Sequence, residues 1–228
     1  MTWTALVYQL TDGLVINEVP MAAAPTWSRV LDGPGAGNTV TTPLGGRGCI
    51  SQSMVTTLLQ GKRYGIALVW NESGQPFVAG PVQGYTYDDS TGMLTLGFGD
   101  TWALLRRRPV LSPSWVVANG ITDPSTDLVY ANNSLHDIAI GLVQQTLLRG
   151  GLNVDVPALD GGTGNALSFF GYDNADTATR LAAITQTVDQ TTGAFGPDVD
   201  FLPYFSDTNH IRCSMLVGSP IAQPSSAL

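Results

Sequence analysis

The chain of 228 residues carries 18 acidic against 10 basic side chains, a formal net charge of −8, and is 12% charged and 43% apolar. So acidic a surface repels a free duplex or an anionic bilayer, which argues against nucleic-acid or membrane-surface binding as its main role. Ordinary soluble domains are about 25% charged, so a surface covered mostly by Thr, Ser, Gly, Asn and Gln suits burial in an assembly.

From Thr4 to about Asp100 the text reads as strands. TALVYQL and LVINEV flank TDG, turn residues that include a Gly to take positive φ, and so predict a hairpin. GPGAGN at 33–38 and GGRG at 45–48 are glycine-rich, but neither is followed by Lys-Ser/Thr or by the amphipathic helix of an anion cradle, so flexible hairpin tips are expected. RYGIALVW, QPFVAGPVQGYTY and GMLTLGF, separated by NESGQ and DDSTG, predict an antiparallel meander, with Gly80 before Pro81 marking a bend or bulge. Strands at short spacing without intervening helices point to a barrel or sandwich.

After Pro109 the stretch LSPSWVVANGITDPSTDLVYANN reads as a long irregular connection. SLHDIAIGLVQQTLLRGG predicts a helix, with Ser134 and Asp137 as a capping box and Gly150 with Gly151 at its end. A second helix is expected from about Asp176 to Asp189, with Ala178, Leu181, Ile184 and Val188 on one side. DVDFLPYF and HIRCSMLVG return to strand, the latter with Ile211, Cys213, Met215 and Val217 on one face, before the tail SPIAQPSSAL. At about 100 to 200 residues per domain, the length suits two units.

No window approaches the roughly 18 to 20 consecutive apolar residues of a membrane helix, and MTWTALVYQLTDG lacks the basic and apolar regions of a secretory signal, so a cytoplasmic product is expected. Cys49 and Cys213 have no second Cys or paired His close by, so two unpaired thiols are expected rather than a disulfide or a zinc site. Asp88/Asp89 and Asp198/Asp200 lack the facing geometry of a glycosidase pair and read as solvated carboxylates. His136 and His210 stand isolated and no G-x-S-x-G elbow appears, so no catalytic, cofactor or metal site is predicted. Trp27, Trp70 and Trp102 read as core, although Trp3, Trp27, Trp70, Trp102 and Trp115 also offer faces for stacking on sugars. Arg106, Arg107 and Arg108 follow a short helix begun near Asp100, which spreads them by about 100° each. They can pair with carboxylates and carbonyls within and between subunits, lie in a solvated turn, or contact phosphate.

In order, WSRVLDGPGAGNTVT, YGIALVWNESGQPFVAGPV, TGMLTLGFGDTWALLRRRPV, NNSLHDIAIGLVQQ, GAFGPDVDFLPYFSD and LVGSP resemble the N-terminal half of tail hub proteins, also called minor tail proteins, of long-tailed phages that infect actinobacteria. The resemblance spans residues 27–220 and rests on the order of W-S-R-x-L, G-P-V, D-x-W-x-L-L-x-R-R and G-P-D-x-x-F-x-P. Taken with the residue patterns, it gives a mainly β chain with helices: an antiparallel β-barrel tube-type domain over 1–110, a helix-containing α+β region over 111–220 and, from composition, a linker-like tail over 221–228. Members of that family continue past the position of Pro220 with a second tube-domain half. The implied function is structural and non-enzymatic: a homotrimeric virion ring at the tail tip, without cofactor, joining the tail tube to tip or fibre proteins. Distal tail and tape-measure proteins would be neighbours, and DNA would transit an acidic or polar channel without sequence-specific binding. Arg106, Arg107 and Arg108 are then expected at the subunit interface. The alternatives are a distal tail adaptor or tail-tube protein, and a cell-wall carbohydrate-binding or degrading tail module.

Overall fold

The computed structural model describes residues 2–35, 37–45, 50–59, 63–110, 127–148, 150, 152–170, 175–218 and 221. The expected hairpin forms from β1 (Trp3–Gln9) and β2 (Val15–Val19), paired antiparallel, and Gly13 in its turn takes φ +85°, a conformation that only glycine adopts without strain. β3 (Asn38–Pro43), β4 (Tyr64–Trp70), β5 (Gln75–Asp88) and β6 (Met93–Phe98) complete a six-stranded sheet in the order β2-β1-β4-β5-β6-β3. The meander β4–β5–β6 is antiparallel throughout, as the turn spacing predicts.

The long strand β5 changes partner along its length. Residues up to Pro81 pair with β4, and those from Val82 pair with β6, with the ladder slipping between Val82 and Gly84. The irregularity expected beside Gly80 therefore falls just after it. Gly80 itself admits the backbone of Gly99 and Asp100, since a Cβ there would lie 2.6 Å from the Asp100 carbonyl. Among the described residues no strand pairs with the other edge of residues 83–88.

One face of the sheet buries Ala5, Val7, Val40, Ile66, Leu68, Leu94, Leu96 and Phe98. α1 (Gln52–Leu59) packs Val55 and Leu58 into that core from a stretch that reads as strand. Its cap is legible: Ser51 Oγ accepts from Met54 N at 3.2 Å. The other face carries Tyr8, Ala67 and Ala79 against Ile211 of the C-terminal half, which is why β4 reads as an unbroken apolar run rather than an alternating one.

The C-terminal half comprises α2 (Thr101–Leu105), β7 (Leu128–Asn133), α3 (Leu135–Leu147), β8 (Val154–Asp155), β9 (Asn165–Phe169), α4 (Thr177–Thr185), β10 (Asp198–Asp207) and β11 (His210–Gly218). The two expected strands β10 and β11 pair as a hairpin, β8 adds in parallel, and β7 pairs with β9. α3 and α4 cover β10 and β11 with Leu135, Ile138, Leu142, Leu181 and Ile184 against Val199, Phe201 and Met215.

Several sequence expectations change here. β7 forms inside the stretch read as irregular connection, whose residues 111–126 lie outside the described ones. The capping box is half formed: Ser134 Oγ accepts from Asp137 N at 3.0 Å, but Ser134 N donates to Gly162 O instead of to the carboxylate. α4 ends at Thr185, so Val188 leaves the helical face, lies 52% exposed and bridges to Phe195. The glycine loop is anchored as well, because Gly35 N donates to Asp100. Gly46–Cys49, Trp115, Gly151, Pro220 and most of the tail lie outside the described residues. The described chain is mainly β with four helices.

Candidate assembly surface

The four sequence patterns lie far apart in the chain yet meet in one joint between the halves. Arg29, from W-S-R-x-L, forms an ion pair with Asp200 of G-P-D-x-x-F-x-P. Three residues on, Asp32 N donates to Val199 O at 3.1 Å and its carboxylate accepts from Val199 N at 2.6 Å. Asp100, from D-x-W-x-L-L-x-R-R, caps α2 through Ala103 N and accepts from Gly35 N, while Gly80 of G-P-V passes against its backbone. Trp102 sits edge-on to Phe201, with centroids 5.5 Å apart. Burial pushes the carboxyls of Asp32 and Asp100 above their ordinary values, and for Asp32 the neighbouring Asp198 and Asp200 add to the rise.

Asp200 is thus 8% exposed and paired rather than solvated, correcting the sequence reading. Asp88 follows expectation, accepting from Ser90 and Thr91 within its own turn, and those bonds hold its carboxyl below the ordinary value. The histidines are not isolated. His210 Nδ1 lies 2.8 Å from Asp207, and His136 Nδ1 lies 3.4 Å from Asp137 and 3.3 Å from Asp160. His136, Asp137 and Asp160 bring donor atoms within 4.8 Å of one another, yet the Asp137 oxygens already accept from Asp160 N and Gly161 N. The cluster ties the loop before β9 to the start of α3. Cys213 is a free buried thiol whose pKa burial raises to about 11, which keeps it protonated and unreactive at neutral pH. Trp102 is core as expected, whereas Trp27 is 43% exposed and lies against Phe77 and Trp3, at 4.6 and 6.0 Å between centroids.

The arginine triplet lies beyond the joint, where α2 ends. Arg106 is the C-cap, and Arg107 and Arg108 follow in the turn, a place where cations favour the negative helix end. The backbone there is fixed: Thr177 N and Oγ1 donate to Arg108 O, and Val110 N donates to Ala175 O. The side chains of Arg106 and Arg107 are exposed, and Arg108 is half-buried beside Gly150. Sequence reading missed a fourth member. Arg63, just before β4, joins Arg107 and Arg108 around a groove of about 360 Å³ whose apolar lining is Leu10, Leu104, Pro109 and Leu152. Among the described residues no ion pair or side-chain hydrogen bond engages Arg63, Arg106, Arg107 or Arg108. Arg29 and Arg212, by contrast, hold Asp200 and Asp155. Such a set of unmatched guanidinium groups can take carboxylates or phosphates through directional, forked hydrogen bonds. Comparison with protein-family models finds no matching family, and comparison with curated proteins finds no matching relative.

Proposed function

We propose that this chain is a structural ring component of a phage tail tip, a homotrimeric hub that joins the tail tube to tip or fibre proteins and lets DNA pass. The observation that carries the reading is the joint: W-S-R-x-L, G-P-V, D-x-W-x-L-L-x-R-R and G-P-D-x-x-F-x-P, the patterns of the hub resemblance, converge on one set of contacts between the halves. Residues that meet in space form a coherent structural signature, which favours a shared architecture over four chance likenesses.

Two further features support assembly. Ala22 N donates to Thr41 O and Thr26 bridges to Thr39, so the chain leaving edge strand β2 reaches edge strand β3, and a barrel-like closure of the N-terminal sheet is our reading. The edge of residues 83–88 that no described strand pairs with is flanked by exposed Tyr85 and Tyr87, a template for pairing with another chain. Electron microscopy of the purified chain and of labelled tails tests the proposal. A three-fold ring at the tail tip is expected. A six-fold ring would favour a distal tail adaptor or tail-tube protein, and a monomer absent from tails would remove both readings.

The exposed Trp27, with Trp3 and Phe77 beside it, favours one alternative, a module that stacks on cell-wall sugars. Co-sedimentation with host cell walls that is lost in Trp27→Ala would support it.

A further inference from the structure

We propose that the groove of Arg63, Arg107 and Arg108 receives the β5–β6 turn of a second copy of this chain. Asp88 and Asp89 meet the guanidinium groups, and Tyr85 and Tyr87 lie against the apolar lining. The inference rests on the ring reading and names the contact that would close it.

Charge complementarity selects the occupant. The groove gathers three cations without an acidic partner among the described residues, in a chain with an excess of carboxylates. Several of those carboxylates are paired with a cation, buried or used to start a helix. Asp200 and Asp155 hold arginines, Asp137 holds backbone N–H groups, and Asp100 and Asp176 cap helices. Asp88 and Asp89 are the one place where two acidic residues are consecutive in the sequence, and both are exposed at the tip of a hairpin. Asp88 stays ionised at neutral pH because Ser90 and Thr91 donate to it, and those bonds fix the shape of the turn.

Shape and polarity agree with charge. The half of β5 that leads to the turn has an edge unpaired among the described residues and exposes Tyr85 and Tyr87, at 57% and 43%. A tyrosine ring covers apolar side chains with its body, stacks on a guanidinium and keeps its hydroxyl in water. Groove and turn are different surfaces of one chain, so the contact is head-to-tail, the kind that closes into a ring when the rotation permits.

Sedimentation velocity and negative-stain imaging of the full chain, compared with three variants, provide the test. Arg63→Glu/Arg107→Glu alters exposed side chains only, and Asp88→Asn/Asp89→Arg retains an amide oxygen to accept from Ser90. Each pair of changes is expected to weaken association by at least about tenfold, and the chain carrying all four to recover most of the loss, because the signs on both sides are exchanged. Unchanged circular dichroism and thermal midpoints are the control for folding. Should the groove variant fail that control, Arg63→Gln/Arg107→Gln takes its place.

A parent ring that survives both variants overturns this contact and leaves the ring reading standing. Rescue by the four changes in an assembly that is not a ring keeps the contact and removes that reading. A monomeric parent overturns both. Failure of the four changes to restore association also overturns the contact, as would an intact ring whose groove variant loses only its binding to a labelled oligonucleotide, which would assign the groove to phosphate.

Discussion

Arg29 and Arg107 lie in regions that use the same chemistry in opposite ways. Around Arg29 the guanidinium meets Asp200, backbone groups exchange hydrogen bonds between Asp32 and Val199, and Trp102 packs on Phe201, so charge, backbone and aromatic surface are matched within one chain. Around Arg107 the backbone is equally well tied, through Arg108 O and Thr177, but the charges have no intrachain match among the described residues. A buried ion pair left without one partner is costly, whereas an exposed charge contributes little until a partner desolvates it. The first region therefore holds the chain together, and the second is available to hold chains to each other.

The sharpest way to break that contrast is to hollow out the joint. Trp102→Ala should cost about 3–5 kcal/mol, because the indole, projecting from α2 onto Phe201, is 2% exposed. Urea unfolding followed by both circular dichroism and fluorescence should show both halves melting earlier. Gly80→Ala comes next, at about 1–3 kcal/mol, since its Cβ would press on the Gly99 and Asp100 backbone rather than on a movable side chain. A thermal midpoint equal to that of the parent would disprove the close passage.

Two carboxylates sharpen the comparison through pH. Arg212 beside Asp155 holds that carboxyl below its ordinary value, so its contribution is present above the unfolded value of about 3.9 and is lost as pH falls through the lowered one. Asp155→Asn should therefore destabilise at pH 7, with the difference closing on acidification. Asp32 has the opposite sign. Its carboxyl is raised by burial and then by Asp198, so its favourable contribution is full below the unfolded value and lost as pH rises through the raised one. Asp32→Asn keeps the oxygen for Val199 N, suits the φ of +61°, and should stabilise the chain by about 0.5–1 kcal/mol at pH 7 and by little at pH 3. Urea midpoints across that range read both signs. The smallest effect on folding per residue belongs to the triplet: Arg106→Ala/Arg107→Ala/Arg108→Ala should shift monomer stability by less than about 0.5 kcal/mol per site while weakening assembly. A large loss of monomer stability would place these residues in the joint rather than on a docking surface.

Much of the fold is legible locally. Period-two runs with glycine-bearing turns specify the hairpin β1–β2 and the meander β4–β5–β6, alternation alone marks β10 and β11 as strands, and Ser134, Asp176 and Asp100 announce three helix starts by chemistry within three residues of each cap. α1 was missed because strand signals on both sides outweighed the Ser51 cap, and β7 because Asn and Asp around it resemble a loop. Of the candidate site, the triplet was legible as an oddity of composition, whereas Arg63 was not, since nothing local ties the residue before β4 to residues 107 and 108.

By itself the sequence determined most of the elements, their caps and turns, and the shortage of charge, because those properties are set by neighbours a few positions away. Only the tertiary structure decided which charges are matched. Asp200 reads as solvated until Arg29, 171 positions distant, folds onto it, and Asp137 reads as half of a capping box until the backbone of Asp160 and Gly161 claims its oxygens. A carboxylate binds whichever donor folding brings nearest, and the long chain closures that bring such donors close leave no periodic trace in the text.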